Sequence, residues 1–137
     1  MELENWIFEE GTVEYGKINS YRDLIVWQKA MDLVVHVYEV SKDFPSDEKF
    51  GITNQIRRAA VSVPSNIAEG WGRKYLGSYI QFLRISYGSI CELNTQLEIC
   101  VRLNYVNEND ITSLKNQILQ VEKMIKSMIS KLELKNN

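Results

Sequence analysis

The chain is 137 residues long, which allows a single domain around one core. Hydrophobic residues make up 45% and charged residues 25%, so disordered and collagen-like classes are excluded, and 2 prolines with 7 glycines argue against an all-β protein of many turns. The 16 basic and 18 acidic side chains give a net charge of −2, which excludes a strongly basic nucleic-acid coat but leaves room for a local basic patch.

The opening residues Met1 to Asn5 are acidic and lead into no long apolar run, so they do not read as a signal peptide. No stretch approaches the ~18 apolar residues of a membrane span. Cys91 and Cys100 fall nine positions apart in one expected helix. That spacing puts them on opposite sides of the axis and ~13 Å apart along it, whereas a disulfide needs Cα atoms within ~7 Å. Two reduced cysteines and no export signal point to the cytoplasm.

Residues 1–20 carry Trp6, Ile7, Phe8 and Tyr15 among five glutamates, with Gly11 and Gly16 interrupting any helix. They read as an extension that either docks on the body through its aromatics or is disordered. The body, residues 21–137, reads as four helices. The first spans about Asp23 to Lys42 and carries two apolar stripes. Leu24, Trp27, Met31, Val34 and Tyr38 have the a/d spacing of a bundle seam. Val26, Ala30, Leu33, Val37 and Val40 lie ~110° round the axis. The doubled arc belongs either to a wide core face or to a contact with another subunit.

Phe44-Pro45 ends this helix, and Ser46 is the expected N-cap of the second. The second helix presents Ile52, Ile56, Ala59, Ala60, Val63 and Ile67 on one side, with a kink expected at Pro64 and a stop at Gly70 and Gly72. The third opens on Ser78-Tyr79-Ile80-Gln81, which has the form of a capping box, and runs to about Leu103. Ile80, Leu83, Tyr87, Ile90, Asn94, Leu97 and Val101 mark its seam, and Ser86, Gly88 and Ser89 are small enough to admit a neighbouring backbone. The fourth, capped by Asn107 or Asn109, repeats Ile111, Leu114, Ile118, Val121, Ile125, Met128 and Leu132. Long amphipathic helices joined by short loops predict an all-α, antiparallel up-down-up-down left-handed four-helix bundle.

His36 is the only histidine and falls with Lys29, Asp32 and Glu39 on the polar side of the first helix, so it reads as a surface histidine. One histidine cannot supply a di-iron bundle site, and no H-E-x-x-H or Ser/Cys–His pairing is present. Gly70-Trp71-Gly72-Arg73-Lys74 follows a helix and lacks the ending of a phosphate loop. The expectation is a non-enzyme without metal, cofactor or small-molecule substrate.

Two polar features remain. Arg73 and Lys74 lie between Trp71 and Tyr75, combining charge with stacking surfaces as single-strand binders do, and Arg57, Arg58 and Arg84 add charge to the same hairpin. Arg57, Arg73, Lys74 and Arg84 are the candidate nucleic-acid-binding residues; exposed arginines on an ordinary bundle are the alternative. Gln55, Arg58, Ser62, Asn66 and Glu69 line one stripe of the second helix. An antiparallel hairpin brings Arg58 level with Ser89, and Gln55 with Glu92. With Ser89 and Glu92 of the third helix, this stripe is either a solvated face or a satisfied network, between these helices or across a subunit contact, in which Arg58 pairs with Glu92.

The stretch Gln55-Ile56-Arg57-Arg58-Ala59-Ala60-Val61-Ser62-Val63-Pro64-Ser65-Asn66-Ile67-Ala68-Glu69-Gly70 resembles the signature of the four-helix-bundle proteins encoded in intervening sequences of bacterial 23S ribosomal RNA genes. Leu24 to Ala30, Phe44-Pro45 with Glu48, and Gly88 to Leu93 support the match, which covers about residues 21–133. The resemblance implies a bacterial cytoplasmic bundle, often a ring-shaped homopentamer, with no established enzyme activity and RNA as a partner class. The family is also similar to the accessory protein of diversity-generating retroelements, a basic pentamer, from which this slightly acidic chain departs. A protein-interaction scaffold with no nucleic-acid role is the alternative.

Overall fold

The computed structural model describes residues 18–136, so the expected docking or disorder of residues 1–17 lies outside the described residues. Four α-helices follow one another: α1 (Ile25–Ser41), α2 (Ile52–Arg73), α3 (Leu76–Arg102) and α4 (Thr112–Asn136). Each packs on the next and α4 closes back on α1, giving an all-α four-helix bundle with no strand among the described residues. As α2 numbers rise, their α3 partners fall. Ser62 meets Ser89, the Val63 carbonyl meets Ser86, and Gly70 lies against Tyr79, so this pair is antiparallel. No helix is long and apolar enough to cross a membrane.

The α4 repeat reads through to the structure without change: Ile111, Leu114, Ile118, Val121, Ile125, Met128 and Leu132 are all buried. On α2, Ile56, Ala59, Ala60, Val63 and Ile67 are buried as expected, and the helix continues through Pro64. The α3 face is broader than its heptad. Tyr79, Ser86, Leu93, Gln96 and Cys100 join the core, while Asn94 is exposed. A helix packed between two neighbours buries more than one seam.

Helix ends depart most from expectation. Ser46 does not cap α2; Ser46–Glu48 form a single 3-10 turn and α2 starts at Ile52. Gly70 and Gly72 do not stop α2, which ends one residue before Lys74, held in the left-handed region at φ 64°. Gly70 serves a close approach: a Cβ there would lie 2.8 Å from Phe82 Cβ. The Ser78 capping box is passed over, since α3 already begins at Leu76, whose side chain is buried. The capping box that does form is Ser20 with Asp23, on a 3-10 turn at Tyr21–Asp23 that leads into α1.

Candidate functional site

The two stripes of α1 take opposite fates. Val26, Ala30, Leu33 and Val37 are buried against the other helices. Trp27 and Val34 are half-buried, and Met31 and Tyr38 are exposed. The stripe with seam spacing is therefore the outer one, apart from Leu24 at its start, which is buried. With Val61, Pro64 and Ala68 of α2 it lines an apolar groove between the two helices.

The groove changes character along its length. At one end Tyr21 sits edge-on to Trp27 at 5.2 Å, and the Arg22 guanidinium lies 5.6 Å from the Trp27 ring. At the other end Tyr38, Lys49, Phe50, Arg57 and Arg58 form a cleft that no carboxylate lines. Phe50 is 87% exposed there, beneath the Lys49 ammonium at 5.6 Å. The Thr53 hydroxyl, buried in the wall of this cleft, has no hydrogen-bond partner among the described residues.

The structure spreads the four candidate nucleic-acid residues. Arg57 and Arg73 are 16 residues apart on one helix, about 24 Å at the helical rise. Arg57 is a clamp on the end of α1: its Nε donates to Ser41 Oγ at 2.7 Å, its Nη2 to the Tyr38 carbonyl at 3.4 Å, and its guanidinium lies 4.6 Å from the Tyr38 ring. A cation beside the last carbonyls of a helix complements the dipole there. Arg84 pairs with Glu133 of α4, and Arg73 pairs with Glu69 at 3.3 Å while covering the Phe82 ring. Lys74 lies 4.5 Å from the ring of the buried Trp71. Only Arg73 and Lys74 are neighbours, beside a Tyr75 that is 73% exposed.

The polar stripe is divided as well. Ser62 and Ser89 hydroxyls are 2.8 Å apart, and Asn66 Nδ2 donates to the Ser62 carbonyl at 2.8 Å and to its hydroxyl at 2.9 Å. Ser86 donates to the Val63 carbonyl at 2.9 Å, so the small residues of α3 do admit the α2 backbone. The expected Arg58–Glu92 pair is corrected. Both residues are exposed and neither forms an ion pair among the described residues. Gln55 is exposed too, and Glu69 turns to Arg73. Helices held together by two short hydroxyls leave long charged chains at the edge of the seam, where water serves them better than a desolvated pair.

Two contacts were not foreseen. His36 is half-buried rather than on the open surface, with Nδ1 donating to Gln117 Oε1 of α4 at 2.6 Å. Tyr105, after α3, donates to Glu48 Oε2 at 2.6 Å, tying the two loops at that end, and this bond pushes its phenol up to about 12. Partners 57 and 81 residues apart leave no local signal in a sequence. Cys100 is buried, which pushes its thiol up to about 11, and Cys91 is exposed; both are free. Among the described residues no three His, Cys, Asp or Glu side chains gather as metal ligands would.

Fold and groove together define a four-helix-bundle protein that carries an uncovered apolar face between its first two helices. The chain belongs to the 23S rRNA-intervening sequence protein family, whose model matches residues 22–127. It is similar to a crystallised protein of unknown function from the S23 ribosomal protein family of Bacteroides thetaiotaomicron. The two share 24% identity at a TM-score of 0.72, over 77% of this chain and 96% of that one, which supports the common fold. No curated protein matches the chain.

Proposed function

We propose that this chain is a non-catalytic, self-assembling interaction module that works in the cytoplasm, with the α1/α2 face as its contact between copies. The observation that carries this is the Trp27, Met31, Val34 and Tyr38 stripe, continued by Val61, left uncovered on a bundle whose core is already filled by the other stripe of α1. Contiguous exposed apolar surface of this kind marks interaction sites. One face meeting a different face of the next copy is a heterologous contact, which closes into a ring when the rotation allows. The homopentamer implied by the family resemblance is such a ring. Light scattering at micromolar concentration is expected to give about five times the 15.9 kDa chain mass; a particle of chain mass would overturn the reading.

A second reading, weak RNA binding, is favoured by one observation: Lys74 and the exposed Tyr75 share the α2–α3 tip, a cation beside a free aromatic surface. Repeated on each copy, it supports binding that falls with added salt. Arg73→Ala with Lys74→Ala is expected to abolish such binding. Affinity unchanged by that pair would remove the tip as the site.

A further inference from the structure

We infer that the cleft at the start of α2 binds a nucleotide, with the base stacked on the Phe50 ring and the phosphate held by Lys49 and Arg58. The cleft offers about 750 Å³ between the end of α1, the turn before α2 and the first three turns of α2. That size suits a small ligand. It gathers Lys49, Arg57 and Arg58 with no lining carboxylate, although the chain as a whole is acidic. Arg57 donates only to neutral oxygens, Ser41 Oγ and the Tyr38 carbonyl, so its charge is not neutralised. Lys49 and Arg58 are exposed, and none of the three forms an ion pair among the described residues. Cations grouped without counter-charges favour an anion between them.

The rings narrow the choice of anion. Phe50 is 87% exposed with the Lys49 ammonium 5.6 Å from its centroid, and the half-open Tyr38 ring has the Arg57 guanidinium at 4.6 Å. A carboxylate-bearing peptide would supply the charge but leave the phenyl face bare. A nucleotide carries an anion and a flat base on one sugar, and every base has a face that stacks on an aromatic ring. A second observation comes from the wall. Thr53 lines the cleft at 7% exposure, and its hydroxyl has no partner among the described residues. Antiparallel neighbours on α2 and α3, Val63 with Ser86 and Gly70 with Tyr79, set a register that puts Gln96 level with Thr53. Gln96 Oε1 is buried and unpartnered too. Buried polar atoms are almost always hydrogen-bonded, so two orphans at one level call for a partner the chain does not supply. The inference goes beyond the assembly reading, and the cleft lies at the opposite end of α2 from the Lys74–Tyr75 tip.

Fluorescence anisotropy of etheno-AMP titrated with the full-length chain tests it. Saturable binding that weakens with added salt is expected. No saturable binding of either etheno-AMP or single-stranded hexaadenylate at low salt would overturn it. Hexaadenylate binding tighter by about tenfold or more points to a strand as the source of the nucleotide, and a smaller difference to a free one; either keeps the inference. Phe50→Ala is expected to weaken binding at least about fivefold, and Lys49→Gln with Arg58→Gln at least about tenfold. All three side chains are exposed, so helix content should not change. Affinity indifferent to both changes would overturn the site. Thr53→Val removes the orphaned hydroxyl at nearly constant shape and is expected to weaken binding about threefold; unchanged affinity would overturn that contact. Inorganic phosphate displacing etheno-AMP as well as AMP does would overturn the stacked base, and hexaglutamate doing so would assign the cleft to an acidic protein segment instead. Light scattering on the same samples separates the two readings. Nucleotide binding by a chain that never assembles keeps this inference and ends the assembly reading, and assembly without nucleotide binding does the reverse.

Discussion

Gly70 and Gly72 sit two residues apart near the end of α2 and are expected to answer the same substitution with opposite signs. A Cβ on Gly70 would lie 2.8 Å from Phe82 Cβ and 3.1 Å from Tyr79 Cδ1, whereas one on Gly72 meets nothing within 4 Å. Phe82 Cβ is fixed to the α3 backbone and cannot rotate away, so relief requires α2 and α3 to separate. Alanine is better than glycine in a helix interior by about 1 kcal/mol, and about half of that applies in the last turn where Gly72 sits. Gly70→Ala collects a similar gain but meets overpacking of about 1–3 kcal/mol. The expected net effect is a loss of about 1 kcal/mol at Gly70 and a gain of about 0.5 kcal/mol at Gly72. Urea unfolding followed by helical circular dichroism resolves both, at one protein concentration because assembly shifts midpoints. With a slope of about 2 kcal/mol per molar urea, the midpoint falls by about 0.5 M for Gly70→Ala and rises by about 0.25 M for Gly72→Ala. Equal gains at both positions would refute the claim that Gly70 sets the approach of α2 to α3.

The Tyr79 hydroxyl is buried with no partner among the described residues, so Tyr79→Phe is expected to raise stability by about 1 kcal/mol in the same assay; a loss would reveal a partner. Tyr105 is pushed up to about 12 by its bond to Glu48, and burial pushes Tyr79 upward too. Phenols raised on folding contribute stability that is complete below pH 10 and is lost as pH rises through the folded value, so melting temperature is expected to fall from pH 10 to 12. Tyr105→Phe should flatten that fall; an unchanged slope would separate it from the Glu48 bond. Glu92→Gln, on an exposed side chain with no ion-pair partner among the described residues, is expected to change stability by less than about 0.5 kcal/mol, and a much larger loss would reinstate the Arg58 pair. Met31→Glu with Val34→Glu should keep helix content and reduce assembled mass; unchanged mass would move the interface to another face.

The helices are legible from spacing alone, and α4 most completely, because every position of its heptad repeat is buried. Boundaries were less legible because their cues are local while their causes are not. Gly70 reads as a stop signal, yet the approach of Phe82 from another helix is what calls for it. Ser78 offers a cap, yet Leu76 is drawn into the core two residues earlier and takes the helix start with it. The Ser62, Asn66 and Ser89 contact was visible as a stripe. That short side chains would fill the seam while Arg58 and Glu92 stayed outside depends on how closely the backbones approach, which periodicity does not report.

The site turns on the same distinction. Both stripes of α1 have helical spacing, so periodicity cannot say which one faces inward. Side-chain size can. Val26, Ala30, Leu33 and Val37 are compact and buried, whereas Trp27, Met31 and Tyr38 are bulky and line an open groove. Large, partly exposed aromatic and methionine side chains are the composition of contact surfaces rather than of tight cores. The stripe that looked like the seam of the bundle is thus the one left available. Whatever lies on it must match apolar surface beside Trp27 and positive charge beside Tyr38.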